Sequence, residues 1–419
     1  MSNRYIHIGI ACLLLGMASC KKDTEAPEAP PVSDLRTYDM VPITAERIPS
    51  GYLLECKRAL SDPQMAYAQM LDEEGDPVSR IDFSNLVTTI ENISFERQDI
   101  VITDVVLWDD GTYVLCGFGI ETQREDRLHA LVYRVDETGA ERSAPIRRFI
   151  GPGAELVRNN DLNELYRTRV LAVKDGAGDL ILAARYETAA NALIRLLRIP
   201  MGTTSTPVSI DVPLTDTDHR LQYFGLRAST GEVLLGRDIT GPGFPVLEIS
   251  AWSFSAIGAT AGDVGIVGRK EAHINALEEG DGQLRVTGTF DNNLDEPRTF
   301  HSSGPTPAAL STNTVNSESG RAAIGYASVW TAGTQRSTLN IFESGVLGPE
   351  AERNDRISDL LLARISDSGE LSEVRTILPG QGARAIGCFE TPAGTVIIGA
   401  LHPFLNTDYL HTYFLVLAN

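Results

Sequence analysis

A recurring glycine marker constrains the fold of this chain more than any other feature. Each marker is a Gly followed by four mostly apolar residues and then a small residue, as in "GTYVLC" at Gly111 and "GTVIIG" at Gly394. A tight turn that leads into a short apolar strand produces this pattern. The marker starts at seven positions, which are Gly51, Gly111, Gly178, Gly231, Gly282, Gly320 and Gly394.

Further strands flank each marker. An apolar stretch such as "DVVLW" (104–108) or "AIGCF" (385–389) precedes the Gly, and a third strand such as "LVYRVDETG" (131–139) follows it. A fourth strand, such as "ERSAPIRRF" (141–149), completes the unit. Four antiparallel strands repeated along the chain predict an all-β fold, a seven-bladed β-propeller. The region around residues 291–315 fits the repeat worst, so six blades with a large insertion remain the alternative.

The end of the chain predicts how the ring closes. Asn419 follows Gly394 by the same number of sequence positions as Asp136 follows Gly111, and Asp136 is at the end of a third strand. The last blade therefore lacks a fourth strand. The segment "DLRTYDMVPI" (34–43) has the length and alternation of one, and we expect it to complete the last blade and cover its edge.

The first residues have the organisation of an export signal. One basic residue, Arg4, precedes an apolar run from Ile8 to Met17 that is too short to span a membrane. Residues 1–19 are predicted to be a signal peptide, residues 20–33 a flexible tether rich in Pro and acids, and residues 34–419 one propeller domain.

Two short motifs resemble those of bacterial lipoproteins. The apolar run followed by Ala18, Ser19 and Cys20 resembles a lipobox, which implies that Cys20 carries lipid. The adjacent "KKDTE" resembles the surface-export signal of Bacteroides-type lipoproteins. The glycine repeat also resembles non-enzymatic propeller repeats of such lipoproteins. These resemblances imply an outer-membrane protein on the cell surface, with a periplasm-facing protein as the alternative.

Charge and cysteine content exclude several classes of partner and structure. The formal net charge is -20 and becomes -21 once residues 1–19, with Arg4 and no acidic residue, are removed. Such an acidic chain repels nucleic acid and anionic lipid head groups, so the predicted membrane contact is the N-terminal lipid alone. Beyond Cys20, the remaining cysteines Cys56, Cys116 and Cys388 are odd in number, which argues against a disulfide framework.

Loops on one face of the predicted ring supply the first candidate binding residues. The segment 331–357 is longer than its counterparts, contains a possible strand, "STLNIF" (337–342), and is interpreted as a binding loop or a tolerated insertion. Together with "FLNTDYLH" (404–411), it places the aromatic residues Trp330, Phe404 and Tyr409 beside hydroxyl and amide groups. Rings beside polar groups suit a sugar or a peptide, although they also close the ends of blade cores.

A second candidate set lies where the innermost strands begin. First strands converge on the propeller axis, so these residues are predicted to surround the channel mouth and to bind an anionic ligand. The alternative is that they pair with nearby acids such as Asp216, Asp218 or Glu271. The set contains Arg169, His219, Arg220, His273 and Arg384.

Sequence motifs for catalysis, cofactors or metals are missing. The chain has no G-x-S-x-G, P-loop or dinucleotide motif, and its His and Cys spacings do not match zinc sites. No cofactor and no metal are therefore predicted. The favoured function is a lipid-anchored binding or scaffold module for a glycan, a peptide or an outer-membrane partner protein. The alternative is an extracellular polysaccharide hydrolase or lyase with two carboxylates at the channel mouth.

Overall fold

The structure is a computed structural model that describes most of the chain beyond the N-terminal segment. The described residues are 32–58, 65–152, 170–187, 192–202, 207–214, 219–255, 258–291, 297–315, 323–330, 337–344, 359–366, 370–378, 383–401 and 411–417. Cys20 and the predicted signal and tether up to residue 31 lie outside them. No helix within these ranges is long and apolar enough to cross a membrane.

The described strands form seven antiparallel sheets, numbered here in chain order. Sheet one contains β2 (Val41–Ile48), β3 (Gly51–Lys57), β4 (Tyr67–Leu71) and β5 (Pro77–Asp82). Sheet two contains β6 (Thr89–Ile90), β7 (Ile93–Leu107), β8 (Tyr113–Glu121), β9 (Arg124–Val135) and β10 (Ile146–Pro152). Sheet three contains β11 (Val170–Lys174), β12 (Leu180–Glu187), β13 (Ala192–Ile199) and β14 (Val208–Leu214).

The second half of the chain continues the same pattern. Sheet four contains β15 (Leu221–Leu226), β16 (Val233–Thr240), β17 (Pro245–Ser255) and β18 (Gly258–Val267). Sheet five contains β19 (His273–Gly280), β20 (Gln283–Asp291), β21 (Pro297–Gly304) and β22 (Ser311–Thr314). Sheet six contains β23 (Ala323–Trp330), β24 (Ser337–Ser344), β25 (Asp359–Ser366) and β26 (Leu371–Ile377). Sheet seven contains β27 (Ala383–Thr391), β28 (Gly394–Leu401), β29 (His411–Leu417) and β1 (Val32–Tyr38).

The sheets are arranged as a β-propeller, which confirms the predicted all-β fold class. Consecutive strands are neighbours in each sheet, so the chain builds one sheet before it starts the next. The first strand of each sheet contacts the first strand of the next sheet, in the order β7, β11, β15, β19, β23, β27 and β2. The pair β2 and β7 is the exception. Sheets one and two instead share a core in which Leu53 of β3 and Ile102 of β7 are buried.

The chain termini meet in sheet seven, as the sequence predicts. β1 pairs with β29 in antiparallel register, with Leu35 opposite Leu415 and Thr37 opposite Tyr413. The Tyr38 hydroxyl donates to the carbonyl oxygen of Gly75 at 2.6 Å, which ties this strand to sheet one. The predicted bounds need correction, because segment 34–43 contains the end of β1, a turn and the start of β2.

The marker residues are apolar because the second strands that they form are buried on both faces. Every residue of β8 and β28 is buried, since each of these strands lies between two neighbouring sheets. The small residue that ends a marker allows this close packing: Cys116 is fully buried, and a Cβ at Gly236 would lie 2.7 Å from Ile274 Cδ1. The described cysteines Cys56, Cys116 and Cys388 are buried and free, in line with the absence of a predicted disulfide framework.

Gly51 shows why the turn requires glycine. Its φ is 140°, a conformation that residues with a side chain rarely adopt. A Cβ at this position would lie 2.1 Å from the carbonyl oxygen of Leu71 on β4. The close approach of two strand ends therefore leaves no room for a side chain.

Sheet six contradicts one part of the strand assignment. The marker at Gly320 was predicted to start a second strand, but residues 323–325 belong to the first strand, β23. The second strand is β24, which contains the possible strand "STLNIF" (337–342) noted within the segment 331–357. Gly333 precedes β24 in the sequence, but β24 alternates polar with apolar residues, so it lacks the marker of the other second strands.

Candidate functional site

Side chains from the first strands connect neighbouring sheets around the axis. The Thr103 hydroxyl donates to the carbonyl oxygen of Val170 at 2.7 Å and accepts from the Val170 N–H at 3.2 Å. Gln222 connects sheets four and five in the same way: its Nε2 donates to Ala272 O at 2.7 Å and its Oε1 accepts from Ile274 N at 2.9 Å. Both residues sit at register shifts in their strands, which free their backbone from the ladder and aim the side chain at the next sheet.

Three residues of the predicted cationic set lie together at the start of β15 and β19. We call His219, Arg220, Gln222, Asp238 and His273 the entrance cluster. Asp238 is only 3% exposed, and its Oδ2 accepts from both the backbone N and the Nε of Arg220 at 3.0 Å. Its Oδ1 accepts from Gln222 Nε2, so the carboxylate is held from two sides.

The histidines of the entrance cluster are also held in place. The carbonyl oxygen of His219 accepts from Nε of the fully buried Arg185 at 2.8 Å. Burial lowers the pKa of His273, the nearby charge of Arg220 lowers it further, and Asp238 opposes both effects. The carboxylate that pairs with Arg220 is Asp238, whereas Asp216 and Asp218 lie outside the described residues. Arg220 thus has a carboxylate partner within the protein, which is Asp238 and none of the acids named from the sequence.

A second group of polar residues lies further along the axis. We call Glu46, Asp104, Tyr223 and Glu278 the axial acid cluster, because Glu46 interacts electrostatically with Asp104 and Tyr223 with both glutamates. These residues come from the first strands of four different sheets. Burial raises the pKa of Tyr223 to about 12, and the negative charges of Glu278 and Glu46 add to the increase. First strands that converge on the axis bring these groups together.

A cavity of about 160 Å³ opens beside Glu46 and Asp104. Thr44, Leu53, Glu55 and Val105 complete its lining. Glu55 is 5% exposed, and its Oε2 accepts from the Thr44 hydroxyl at 2.6 Å. The cavity thus has carboxylate oxygens and a hydroxyl on one side and apolar groups on the other.

Asp104 and Glu46, two of the three carboxylates that line this cavity, are in different environments. Asp104 accepts hydrogen bonds from the N–H groups of Val105 at 3.0 Å and Ala172 at 2.7 Å, which stabilise its ionised form. Glu46 makes no hydrogen bond to the described residues, and desolvation followed by repulsion from Asp104 raises its pKa to about 7. Its side chain is exposed by surface area although protein encloses it on most sides, which fits a narrow water-filled channel.

Of the remaining predicted site residues, the structure describes the backbone positions of Arg384 and Trp330. Arg169, Phe404 and Tyr409 lie outside the described residues. Arg384 is the second residue of β27, at the same end of a first strand as His273, and Trp330 is the last residue of β23. Trp330 therefore lies at the opposite end of its sheet from the starts of the first strands. Ligand roles for these residues remain predictions.

The sequence analysis missed Glu46 and Asp104. Each is an acid on a first strand that also contains several apolar residues, in "VPITAERI" and "DIVITDVVL". An acid within a buried run is the signal that could have identified them, since such residues need a polar environment. Among the residues described, no group of three or more His, Cys, Asp or Glu has the arrangement of a metal site.

Comparisons with known proteins give structural similarities only. No family model matches the sequence, and no curated protein matches it. The polysaccharide lyase Uly1 has a similar structure with a TM-score of 0.49 and 11% identity, covering 90% of each chain.

Two other similar structures are less close. A neuraminidase-like protein from A/bat/Guatemala/164/2009 has a TM-score of 0.41 and 10% identity, covering 76% of this chain and 90% of that one. The GH93 alpha-L-arabinofuranosidase of Fusarium graminearum, in complex with arabinobiose, has a TM-score of 0.36 and 12% identity, covering 59% and 82%. A shared fold does not determine activity, so function has to be argued from the site.

Proposed function

We propose that this chain is an extracytoplasmic β-propeller that binds a glycan in its axial channel. The observation that carries the proposal is the cavity beside Glu46 and Asp104. Its oxygens can accept hydrogen bonds from sugar hydroxyls, and Leu53 and Val105 can contact the apolar face of a sugar ring. Peptides and partner proteins, the other ligands expected from the sequence, offer fewer hydroxyl donors for these acceptors.

The entrance cluster supports a neutral ligand in the channel. The Nε of Arg220 already donates to Asp238, so this carboxylate offsets the guanidinium charge before any ligand binds. The cavity is smaller than the roughly 300–1,000 Å³ of sites for drug-sized ligands. A single sugar unit at the end of a chain, or one side branch, suits a volume of about 160 Å³.

Binding to a panel of neutral oligosaccharides tests this proposal. The protein is residues 20–419 carrying Cys20→Ser, and affinities are measured by calorimetry. Glu46→Gln keeps the shape of the side chain but replaces one acceptor oxygen by a donor, and we expect it to weaken binding by about tenfold. Glu74→Gln, an exposed acid in the turn before Gly75, is the matched control. Equal affinities of wild type and Glu46→Gln would contradict the proposal.

The same two carboxylates favour a second candidate function, hydrolysis or elimination of a polysaccharide. A carboxyl group with a pKa near 7 beside an ionised carboxylate is the arrangement of a general acid and its partner. In this candidate Glu46 transfers the proton and Asp104 stabilises positive charge or activates water. Release of reducing ends or of unsaturated products measures the activity. Glu46→Gln abolishes turnover while binding persists if the protein is an enzyme, whereas wild type without turnover excludes it.

We also propose that Cys20 carries lipid and holds the propeller at the outer membrane, with the chain on the cell surface. Apolar residues before Cys20 and the polar "KKDTE" after it support this proposal. Labelling of cells with a fatty-acid probe tests the anchor, because Cys20→Ala must lose the label. Protease treatment of intact cells distinguishes the surface from the periplasmic side: only a surface protein is digested.

The number of blades is part of the proposal. We propose that all seven sheets are blades of one ring in a single domain, with six blades and an insertion as the alternative. The succession of contacts between first strands from β7 round to β2 supports seven. An electron microscopy class average viewed along the axis counts the blades directly.

A further inference from the structure

Phe149 is unusual among the described phenylalanines because its ring is 44% exposed. Phe118, Phe300 and Phe414 are fully buried. Phe149 lies on β10, the outer strand of sheet two, where it pairs with His129 of β9. A register shift follows between Phe149 and Gly151, and it places the intervening Ile150 in the core. The shift accounts for two consecutive residues with opposite exposure.

The exposed ring is rigidly supported. His129 is 2% exposed and packs edge-on against it, with 5.5 Å between the ring centroids. The carbonyl oxygen of Phe149 accepts from Arg195 Nη1 at 3.4 Å, and Arg195 is fixed by two 2.7 Å bonds to Asp211. On the other side, Gly151 leaves space for the Tyr186 ring, which a Cβ would meet at 2.4 Å. The ring position is thus set before any ligand arrives.

A guanidinium lies over the same ring. The Cζ of Arg127 is 5.6 Å from the Phe149 centroid. Arg127 forms no ion pair with the described carboxylates, whereas Arg142 of the same sheet pairs with Asp136 at 2.7 Å. Arg147 and Arg148 share one carboxylate, that of Glu91, at 3.6 Å each. Among the described side chains, Arg127 therefore has no carboxylate partner beside Phe149, in a chain whose net charge is -20.

His129 provides an independent sign of an incomplete site. Its Nε2 lies 3.3 Å from Glu121 Oε2, but its Nδ1 is buried and has no hydrogen-bond partner. Unpaired buried polar atoms are uncommon in native proteins. A ligand or a water molecule beside the Phe149 ring could supply the missing partner.

We propose that Phe149 and Arg127 form a second glycan subsite, specific for a sugar that carries a carboxylate, such as a hexuronate unit. The proposal rests on the glycan-binding function proposed above and adds a ligand class that the channel does not select. The sugar ring stacks its C–H face on Phe149, and its carboxylate pairs with Arg127. A hexuronate holds both groups on one rigid ring, which fits a fixed aromatic ring and a guanidinium 5.6 Å away. The carboxylate of an acidic peptide lies on a flexible side chain and has to be ordered on binding.

Affinity electrophoresis in gels that contain polygalacturonate tests the subsite, with uncharged pullulan as the reference polymer. We expect polygalacturonate to retard the wild type, and Phe149→Ala and Arg127→Gln each to weaken the interaction by about tenfold. Arg142→Gln removes an exposed arginine next to the same sheet. Its affinity for polygalacturonate must stay within about twofold of the wild-type affinity. Thermal unfolding shows whether each variant is folded. The Arg127 variant keeps the test valid if Phe149→Ala destabilises the sheet.

The outcomes separate this proposal from the channel proposal. If neutral oligosaccharides bind and depend on Glu46 but polygalacturonate does not bind, the second subsite is wrong and the channel proposal stands. If polygalacturonate binds equally well in Arg127→Gln and Phe149→Ala, the subsite is also wrong. Stronger retardation by poly-glutamate than by polygalacturonate overturns the assignment to a sugar. Loss of polygalacturonate binding in both variants but not in Glu46→Gln supports the subsite.

Discussion

Replacement of Asp238 by Ala tests whether the entrance cluster is structural. Asp238 accepts three hydrogen bonds, two from Arg220 and one from Gln222. Removal of one member of a buried ion pair costs about 3–5 kcal/mol, because the other charge stays buried without a partner. The Arg220 side chain is 35% exposed, so water recovers part of this loss. We therefore expect Asp238→Ala to lower the free energy of unfolding by about 3 kcal/mol.

Urea unfolding followed by tryptophan fluorescence measures this loss. Trp252 lies in sheet four, the sheet that contains Asp238, and reports on its unfolding. The control is Asp76→Ala, which removes an exposed partner of Arg36 and should cost less than about 1 kcal/mol. A double-mutant cycle with Arg220→Met isolates the pair, and the two losses must not add. If Asp238→Ala costs less than about 1 kcal/mol, Arg220 is not held by this pair and is available to bind a ligand.

Four other changes have predictable results. Gly51→Ala should lower the stability measured by thermal unfolding by roughly 3 kcal/mol, because the φ of Gly51 is 140° and a Cβ would clash. Gly176→Ala serves as the control, because a Cβ at Gly176 meets no atom within 4 Å. Deletion of residues 32–38 should leave β29 as an open edge and produce aggregates in size-exclusion chromatography; a stable monomer would contradict the closure. Burial lowers the pKa of His301 from 6.5 to about 4. As the pH is lowered from 6.5 to 4, the free energy of unfolding should therefore fall by on the order of 3 kcal/mol. His301→Gln should flatten this pH dependence. The carboxyl of Glu46 should titrate near pH 7 in ¹³C NMR spectra rather than near 4.5, and it should move down in Asp104→Asn.

The repeat was predictable because the same local physics acts in each sheet. A tight turn needs glycine, as at Gly51, and a strand between two sheets has to be apolar on both faces, as in β8. Ring closure was predictable because a missing strand leaves an unpaired edge. The marker at Gly320 was misassigned where this physics is weaker: β24 alternates polar and apolar residues and lacks the apolar run that follows the other markers.

The sites were predictable only in part. The positions of His219, Arg220 and His273 near the axis follow from the starts of first strands, and the structure brings these residues together. The partner of Arg220 was not predictable from the sequence. Asp238 lies on the second strand and reaches Arg220 through a pairing offset at the register shift after Leu221. Glu46 and Asp104 belong to different sheets, and the packing of sheet one against sheet two brings them together. Local sequence patterns carry no information about such contacts.

A crystal structure of the mature chain with its tightest-binding neutral oligosaccharide tests the central claim most directly. The proposal predicts electron density for a sugar in the axial cavity, with hydroxyl groups about 3 Å from the carboxylate oxygens of Glu46 and Asp104. An axial cavity that holds only water while the sugar occupies another surface would contradict it.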